Sequence, residues 1–166
     1  MKLRLIAAAI LFHGNDVLMM KRSERRTLNP GLWAVVGGHM EGHELSDPRL
    51  TCLREIEEET GLSADRIEEL QLRYVLLRNN HGELRQQFIY TGRVTTREVH
   101  QTDEGELHWI PVADMLERPM PYTFRATLEH LVQHRETPYV WLGSIVRSVE
   151  SNLPHVVWTP LTDPLT

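Results

Sequence analysis

A glutamate-rich segment between residues 47 and 61 constrains the fold of this chain more than any other stretch. Asp47 and Pro48 form a helix start, because Asp accepts hydrogen bonds from free amides of the first turn and Pro is tolerated at the first helical position. Gly61 suits the residue after the helix, where a left-handed conformation is common. The sequence therefore predicts a helix from Pro48 to about Thr60.

The two faces of this helix differ in chemistry. Glu55, Glu58 and Glu59 have the i, i+3 and i+4 spacing that places three carboxylates on one face. The opposite face is apolar and is expected to dock on a core; its members are Leu50, Leu53 and Ile56. Crowded carboxylates repel one another, so the spacing is compatible either with a hard cation such as Mg²⁺ or with a solvated acidic surface.

The residues around this helix resemble the Nudix box. Residues 54–62, REIEEETGL, follow the second half of that pattern, R-E-U-x-E-E-x-G-U, in which U is aliphatic. The first half, a glycine followed six residues later by glutamate, matches Gly38 and Glu44. The family places seven residues between that glutamate and the arginine, whereas the stretch from Leu45 to Leu53 contains nine. We expect the additional residues to lengthen the loop before Pro48 and to leave the helical register unchanged.

The resemblance implies an α/β fold, a Nudix-type α/β/α sandwich with a mixed β-sheet, over residues 1–135. It also implies a metal-dependent pyrophosphohydrolase, which uses Mg²⁺ or Mn²⁺ to cleave a nucleoside diphosphate linked to another group. The implied metal ligands are Glu55, Glu58 and Glu59. The implied catalytic residues are Arg54, Glu55 and Glu58, together with Glu44 and Glu104.

Two glutamates outside the helix are alternatives for the general base. Glu44 belongs to the box, but the longer loop leaves its position undecided. Glu104 lies in an acidic turn beside Gly105, where a loop carboxylate can move toward a reacting centre. Glu106 lies within the strand that contains Trp109, so we prefer Glu104 to Glu106. A solvated acidic turn is the alternative interpretation.

The expected substrate-binding residues precede the helix. Gly37 and Gly38 permit close backbone approach to the metal site. Arg22 and Arg26 are candidates to clamp phosphates, although solvated loop arginines are the alternative. Trp33 is either a stacking platform for the substrate or part of the core.

The first expectation for the substrate is a (deoxy)nucleoside triphosphate, by analogy with MutT-type members, on the short chain and the Gly31-Leu32-Trp33 segment. ADP-ribose or another nucleotide sugar is the alternative. That subgroup would call for a proline some way after the box, and there is none from Leu62 to Ile110. A nucleotide-binding sensor without turnover is a third possibility.

Composition restricts the partners and the compartment. The net charge is −5, and no run of Lys and Arg exceeds two residues, which argues against nucleic-acid binding. The single cysteine, Cys52, excludes an internal disulfide and is typical of a reducing cytoplasm. No apolar stretch is long enough to span a membrane. We therefore expect a cytoplasmic protein with a small-molecule nucleotide substrate, and a homodimer is possible.

The remaining elements follow from periodicity and turn signals. Residues 3–12 resemble a short secretory signal, but pairing with residues 17–21 across His13-Gly14-Asn15-Asp16 explains them better. Strands are predicted at 72–78 and 84–94, and helices at 112–117 and 122–134. Residues 136–166 are predicted to form a C-terminal β extension, with strands at 139–150 and 155–161, packed on the same domain.

Overall fold

The computed structural model describes residues 1–25, 27 and 29–163, and a mixed β-sheet lies at its centre. The strands are β1 (Lys2–His13), β2 (Asp16–Arg22), β3 (Trp33–Ala34), β4 (Val36–His39), β5 (Ile67–Asn80), β6 (Glu83–Val94), β7 (Gly105–Pro111), β8 (Val140–Arg147) and β9 (Pro154–Leu161). The helices are α1 (Pro48–Thr60) and α2 (Tyr122–Gln133), and shorter 3₁₀ turns occupy Ala64–Arg66 and Val112–Glu117.

The strand order is β3-β2-β1-β6-β5-β8-β9, and β4 and β7 pair with β1 and β2 respectively. The β1–β6 and β5–β8 pairs are parallel, and the other pairs are antiparallel. The β1–β2 hairpin pairs Phe12 with Val17, as the sequence predicted. The α/β class and the mixed sheet are thereby confirmed.

Alternation along the strands creates an apolar layer on each face of the sheet. On β2, Leu18 and Met20 face the layer that contains Ile56 of α1, whereas Val17 and Met19 face the layer that contains Leu128 of α2. Successive strand residues point to opposite faces, so both faces of β2 are buried. The two helices therefore cover opposite faces of the sheet. Among the described residues, no helix has the length and apolar character needed to cross a membrane.

Helix α1 begins and ends where the sequence predicted. The Asp47 carboxylate accepts a hydrogen bond from the Arg49 amide at 3.0 Å. Gly61 has φ +76°, and its amide donates to the Glu57 carbonyl at 2.8 Å. The longer spacing in the box therefore lies before the helix, in the turn at residues 42–46.

The prediction of which face of α1 docks on the core is partly wrong. Ile56 is fully buried, but Leu50 is 48% exposed and Leu53 is only half-buried. The helix instead docks through Cys52, Ile56 and Glu59. At about 100° per residue these three positions share one side, and Leu50 points away from them. Cys52 belongs to the core, and burial raises the pKa of its thiol to about 12.

The C-terminal residues extend the same sheet, because β8 pairs with β5 and β9 pairs with β8. The rings of Trp141 and Trp158 lie 4.6 and 4.4 Å from the ring of His130 on α2. His130 Nδ1 is 3.1 Å from the Tyr74 hydroxyl of β5. These contacts attach the β8–β9 hairpin to α2, while a domain boundary at residue 135 stays a prediction.

Candidate active site

The site forms where β4 meets the acidic side of α1. The Gly37 amide donates a hydrogen bond to Glu59 Oε2 at 2.9 Å. A Cβ atom on Gly38 would collide with the Glu55 carboxylate. Gly37 and Gly38 therefore allow the strand backbone to lie directly against two carboxylates of the helix.

Arg54 lies at the centre of a hydrogen-bonded network. Its Nε and Nη2 donate to the two oxygens of Glu44, at 2.8 and 3.1 Å. Its Nη1 donates to Glu55 at 2.7 Å and to Glu58 at 3.2 Å. One guanidinium thus holds three carboxylates, a geometry that its rigid fork of donors permits.

Glu44 is part of the framework of the site. Its side chain is 2% exposed, and its Oε2 also accepts from the Thr51 hydroxyl at 2.7 Å and the Glu41 amide at 2.9 Å. The hydrogen bonds from Arg54, and then those from Glu41 and Thr51, outweigh burial and lower the pKa of Glu44 to about 2. Both Glu44 oxygens therefore already accept hydrogen bonds from the protein.

The three carboxylates of α1 have different environments. Glu58 is mostly exposed, Glu55 is half-buried and Glu59 is buried. Burial raises the pKa of Glu55 even though Arg54 opposes this effect. Burial also raises the pKa of Glu59, and a hydrogen bond with the Glu104 carboxyl raises it further. The site therefore concentrates more negative charge than its single arginine compensates.

Glu104 reaches this cluster from a distant part of the chain. Its carboxyl hydrogen-bonds to Glu59 and is close enough to Glu55 to affect its ionisation. Its carbonyl accepts from the Ser23 amide at 3.1 Å. Glu106 is exposed and contacts His108 at 3.3 Å. The structure thus brings Glu104 to the site and leaves Glu106 at the surface.

The carboxylates fit a hard divalent cation. The donors are all oxygens, the kind of ligand that Mg²⁺ and Mn²⁺ prefer. Burial is the largest cause of the raised pKa of Glu55 and of Glu59, and a positive charge beside them would favour their ionised forms. Among the described residues, no three acidic, histidine or cysteine side chains already converge as a ligand set. Arg54 and the Gly37 amide hold Glu55 and Glu59 in the arrangement seen here.

A cavity of about 640 Å³ lies beside the turn that carries Glu104, and of the expected substrate residues that the structure describes only Arg22 lines it, whereas Gly37, Gly38 and Trp33 do not. Its lining carries both signs of charge, with Lys21, Arg22 and Arg25 as the cationic residues and Glu24, Asp103 and Glu106 as the acidic ones. A cavity of this volume is in the usual range for small-molecule sites. Arg26 lies outside the described residues.

Trp33 packs against the core cluster on the α2 side of the sheet. It is half-buried, and its ring lies 5.3 Å from the ring of His108. The Arg118 guanidinium lies 5.3 Å from the same ring, and the Trp33 amide donates to the Pro119 carbonyl at 2.9 Å. These contacts show how Trp33 is anchored, and a stacking role stays a prediction.

Two contributors to the site were not anticipated from the sequence. The Thr51 hydroxyl binds Glu44, and the His39 carbonyl accepts from Arg54 Nη2 at 3.0 Å. Thr51 lies one turn before Arg54 on α1, so its i+3 spacing was a usable signal. The His39 carbonyl is a backbone group at the end of β4, and every residue type has one. Its contact with Arg54 therefore depends on the path of the backbone and could not be predicted from the sequence.

Replacing Arg54 by Ala is expected to lower the free energy of unfolding by roughly 3 kcal/mol at neutral pH, because it leaves the buried Glu44 carboxylate without its cation. The lowered pKa of Glu44 means that its ionised form stabilises the fold above about pH 4.5, and that this contribution is lost as pH falls toward about 2. The variant should lose much of this pH dependence. Urea unfolding at several pH values measures both effects.

The matched control for this experiment is Arg49→Ala, which removes an exposed arginine from the same helix. We expect this control to unfold at nearly the same urea concentration as the parent. Equal stability of the two variants would show that the Arg54–Glu44 contact contributes little to the fold.

Comparison with known proteins gives a consistent assignment. The family model of the NUDIX domain matches residues 2–134. The structure resembles the MutT protein from Bacillus halodurans at 21% sequence identity and a TM-score of 0.66, covering 97% of this chain and 99% of that chain.

Two further solved structures share the fold. A C. elegans Ap4A hydrolase, solved as a binary complex, is 14% identical with a TM-score of 0.65, over 80% of this chain and 97% of that chain. The NUDIX domain of Shewanella oneidensis NrtR, solved with ADP ribose, is 23% identical with a TM-score of 0.63, over 82% and 90% of the two chains. At these identities the likeness concerns the fold.

Proposed function

The chain belongs to the NUDIX domain family and is a hydrolase of pyrophosphate bonds, and from this premise we propose that it is a metal-dependent enzyme whose substrate is a (deoxy)nucleoside triphosphate. One observation carries the proposal. The carboxyl of Glu104 hydrogen-bonds to Glu59 and lies near Glu55 beside the Gly37-Gly38 backbone, and its chain neighbours Asp103 and Gly105 line a cavity that also has cationic residues.

Glu55, Glu58 and Glu59 are the residues that would hold Mg²⁺ or Mn²⁺. A divalent cation bound there supplies charge neutralisation at the diphosphate oxygens and makes a water molecule more acidic. Glu59 is oriented by the Gly37 amide, and Glu55 and Glu58 are oriented by Arg54. The protein thus sets the ligand positions through contacts outside the ligand set, as is usual at metal sites.

Glu104 is the proposed general base. It takes a proton from the attacking water, whose oxygen forms a bond to phosphorus while the bond to the bridging oxygen breaks. The leaving phosphate carries away that oxygen and its electron pair. The Glu104 carbonyl accepts a hydrogen bond from the amide of Ser23, the residue after β2, so the base lies beside the end of the strand that carries Lys21 and Arg22.

Glu44 is proposed as a positioning residue. It accepts two hydrogen bonds from Arg54, and Arg54 in turn holds Glu55 and Glu58. Its contribution to the rate would act through the orientation of Arg54.

The choice of a triphosphate rests on the cavity lined by Asp103 and Gly105, the chain neighbours of Glu104. Lys21, Arg22 and Arg25 offer cationic groups for phosphates, and a cavity of about 640 Å³ holds a ligand of nucleotide size. ADP-ribose or another nucleotide sugar is the second candidate, because one structure with the same fold was solved with ADP ribose. A nucleotide-binding sensor is the third candidate.

The test is a hydrolysis screen over nucleoside triphosphates, dinucleoside polyphosphates and nucleotide sugars, with Mg²⁺, with Mn²⁺ and with a chelator. We expect nucleoside triphosphates to give the highest kcat/KM, with products identified by mass, and no turnover in the chelator. Preference for ADP-ribose would select the second candidate. Tight nucleotide binding without any turnover would select the sensor.

We also propose that the protein acts in the cytoplasm on a free small-molecule nucleotide. Cys52 is the single cysteine and its thiol is buried, so the chain forms no internal disulfide and the thiol is not accessible to another one. The acidic net charge of −5 is unfavourable for a nucleic-acid surface.

A further inference from the structure

Gln101 lies in the segment between β6 and β7, shortly before the proposed base, and its side chain binds the backbone of β7. Its Oε1 accepts a hydrogen bond from the Leu107 amide at 2.7 Å, and its Nε2 donates to the Leu107 carbonyl at 3.2 Å. A primary amide carries the same kinds of donor and acceptor as a peptide group. The Gln101 side chain therefore pairs with Leu107 as a neighbouring strand would.

The register of β7 explains why the backbone groups of Leu107 are open to this contact. The Ser23 amide donates to the Glu104 carbonyl, and Leu107 lies opposite Met20 of β2. In an antiparallel pair, successive residues direct their backbone groups alternately toward the partner strand and away from it. Leu107 is three residues after Glu104, so its groups point away from β2. Among the strands that the structure describes, β7 pairs only with β2, and Gln101 supplies a partner at the other edge.

The contact closes a short loop that has Glu104 at its middle. Leu107 is six residues after Gln101, and Glu104 lies midway between them. The Glu104 amide is 3.4 Å from the Thr102 hydroxyl, which is long for a hydrogen bond. The Ser23 amide is 3.1 Å from the Glu104 carbonyl. The bond between Leu107 and Gln101 is shorter than both of these contacts and fixes the two ends of the loop.

The turn directs Glu104 to a side of the sheet that strand alternation alone would not give. Leu107 belongs to the core cluster on the α1 side, whereas the His108 ring contacts Trp33 on the α2 side. Successive strand residues point to opposite faces, so continuing β7 back to residue 104 would place Glu104 on the side of His108. Its carboxyl instead hydrogen-bonds to Glu59 of α1. The position of the proposed base therefore depends on the conformation of this turn.

The same segment is also attached to the helix that carries the proposed metal ligands. The His100 amide donates to the Thr60 carbonyl at 2.8 Å, and Thr60 is the last residue of α1, directly after Glu59. The His100 ring lies so close to Gly61 that a Cβ atom there would collide with it. Gln101 thus follows a contact to the end of α1 and makes the contact to β7.

We propose that Gln101 is the positioning residue for Glu104. By pairing with Leu107 it holds the turn in the conformation that places the Glu104 carboxyl beside Glu59. This inference rests on the proposed function, in which Glu104 takes the proton from the attacking water. Gln101 itself takes no part in the proton transfer. A contact with the substrate is the alternative role, because Gln101 also lines the cavity beside this turn.

Steady-state kinetics of Gln101→Met separate these roles, with Mg²⁺ and the nucleoside triphosphate that has the highest kcat/KM in the hydrolysis screen. Methionine keeps the length of the side chain and removes both hydrogen bonds. Small displacements of reacting groups are costly, so we expect kcat to fall by about 10- to 100-fold, with KM close to that of the parent. The matched control is Gln133→Met at an exposed position at the end of α2, which should keep the parental kcat and KM.

Two further measurements distinguish positioning from a general structural role. In a Glu104→Gln background, Gln101→Met should cause no further loss of kcat, because residues that act through one group are not additive. Amide hydrogen exchange provides a readout without turnover. The Leu107 amide should exchange faster in Gln101→Met than in the parent, while the amides of α2 exchange as in the parent.

A parental kcat in Gln101→Met, together with a large loss in Glu104→Gln, would overturn this inference and leave the proposed base in place. A raised KM at parental kcat would also overturn it, because Gln101 would then contact the substrate. So would an equal loss of kcat with and without Glu104, since Gln101 would then act through another group. A parental kcat in Glu104→Gln would overturn the proposed base and this inference with it.

Gln101→Asn provides the same test if Gln101→Met does not fold. Asparagine keeps a neutral amide, but it is one methylene shorter and cannot reach both backbone groups of Leu107 from the same position. We expect the same loss of kcat at nearly constant KM, and a parental kcat in this variant would count against the proposal in the same way.

Discussion

Replacing Glu104 by Gln is expected to lower kcat by about 100- to 10,000-fold, the range over which general bases contribute. The amide keeps the size of the side chain but has no basic oxygen for the proton of the attacking water. Glu104 is half-buried and its carboxyl contacts Glu59, so it is already beside the proposed metal ligands. Initial rates at saturating metal and substrate measure the effect, and thermal melting verifies that the variant is folded.

Glu106→Gln is the control for this prediction, because the same substitution is made two residues away on the same turn and strand. Glu106 contacts His108 and lines the proposed substrate cavity, but it does not contact Glu59, so we expect Glu106→Gln to change KM and to keep kcat within a few-fold of the parent. Similar rates in the two variants would remove Glu104 from the reaction and make Glu44 the remaining candidate base.

Replacing Glu59 by Gln is expected to produce opposite effects on activity and stability. Outer partners of metal ligands commonly contribute about 10- to 100-fold to metal affinity or activity, so loss of a ligand should cost at least that much. In chelator, the variant should melt at a higher temperature than the parent. Burial and contact with Glu104 disfavour the Glu59 carboxylate, whereas a neutral amide can still accept the hydrogen bond from Gly37.

Glu57→Gln is the matched control, because Glu57 is exposed on the same helix and lies away from the site. We expect the control to match the parent in both the metal titration and the melting experiment. Full activity of Glu59→Gln at limiting metal would contradict the assignment of Glu59 as a ligand. A lower melting temperature in chelator would contradict the inference that its charge destabilises the fold.

The secondary structure that frames this site could be predicted from the sequence. Helix α1 was predicted at both ends, because Asp47, Pro48 and Gly61 act on backbone groups within one turn of themselves. The β1–β2 hairpin and the position of Glu106 within a strand were also predicted from neighbours along the chain. Local periodicity therefore sufficed for the secondary structure that frames the site.

The tertiary structure decided which side chains of α1 are buried against the sheet. Glu58 and Glu59 are adjacent, yet only Glu59 is buried, because the direction in which α1 docks depends on its contacts with β1 and β4. The same docking direction explains why Leu50 is exposed, contrary to prediction. Helical spacing identifies residues that share a face, but it does not identify which face meets the sheet.

The sequence by itself determined the acidic helix, its end points and the family to which the chain belongs. Only the tertiary structure placed Glu104 against Glu59 and fastened Glu44 to Arg54. Capping and periodicity depend on residues within about one helical turn. The position of Glu104 instead depends on the pairing of β7 with β2, two strands far apart in the chain whose contact arises only when the sheet forms.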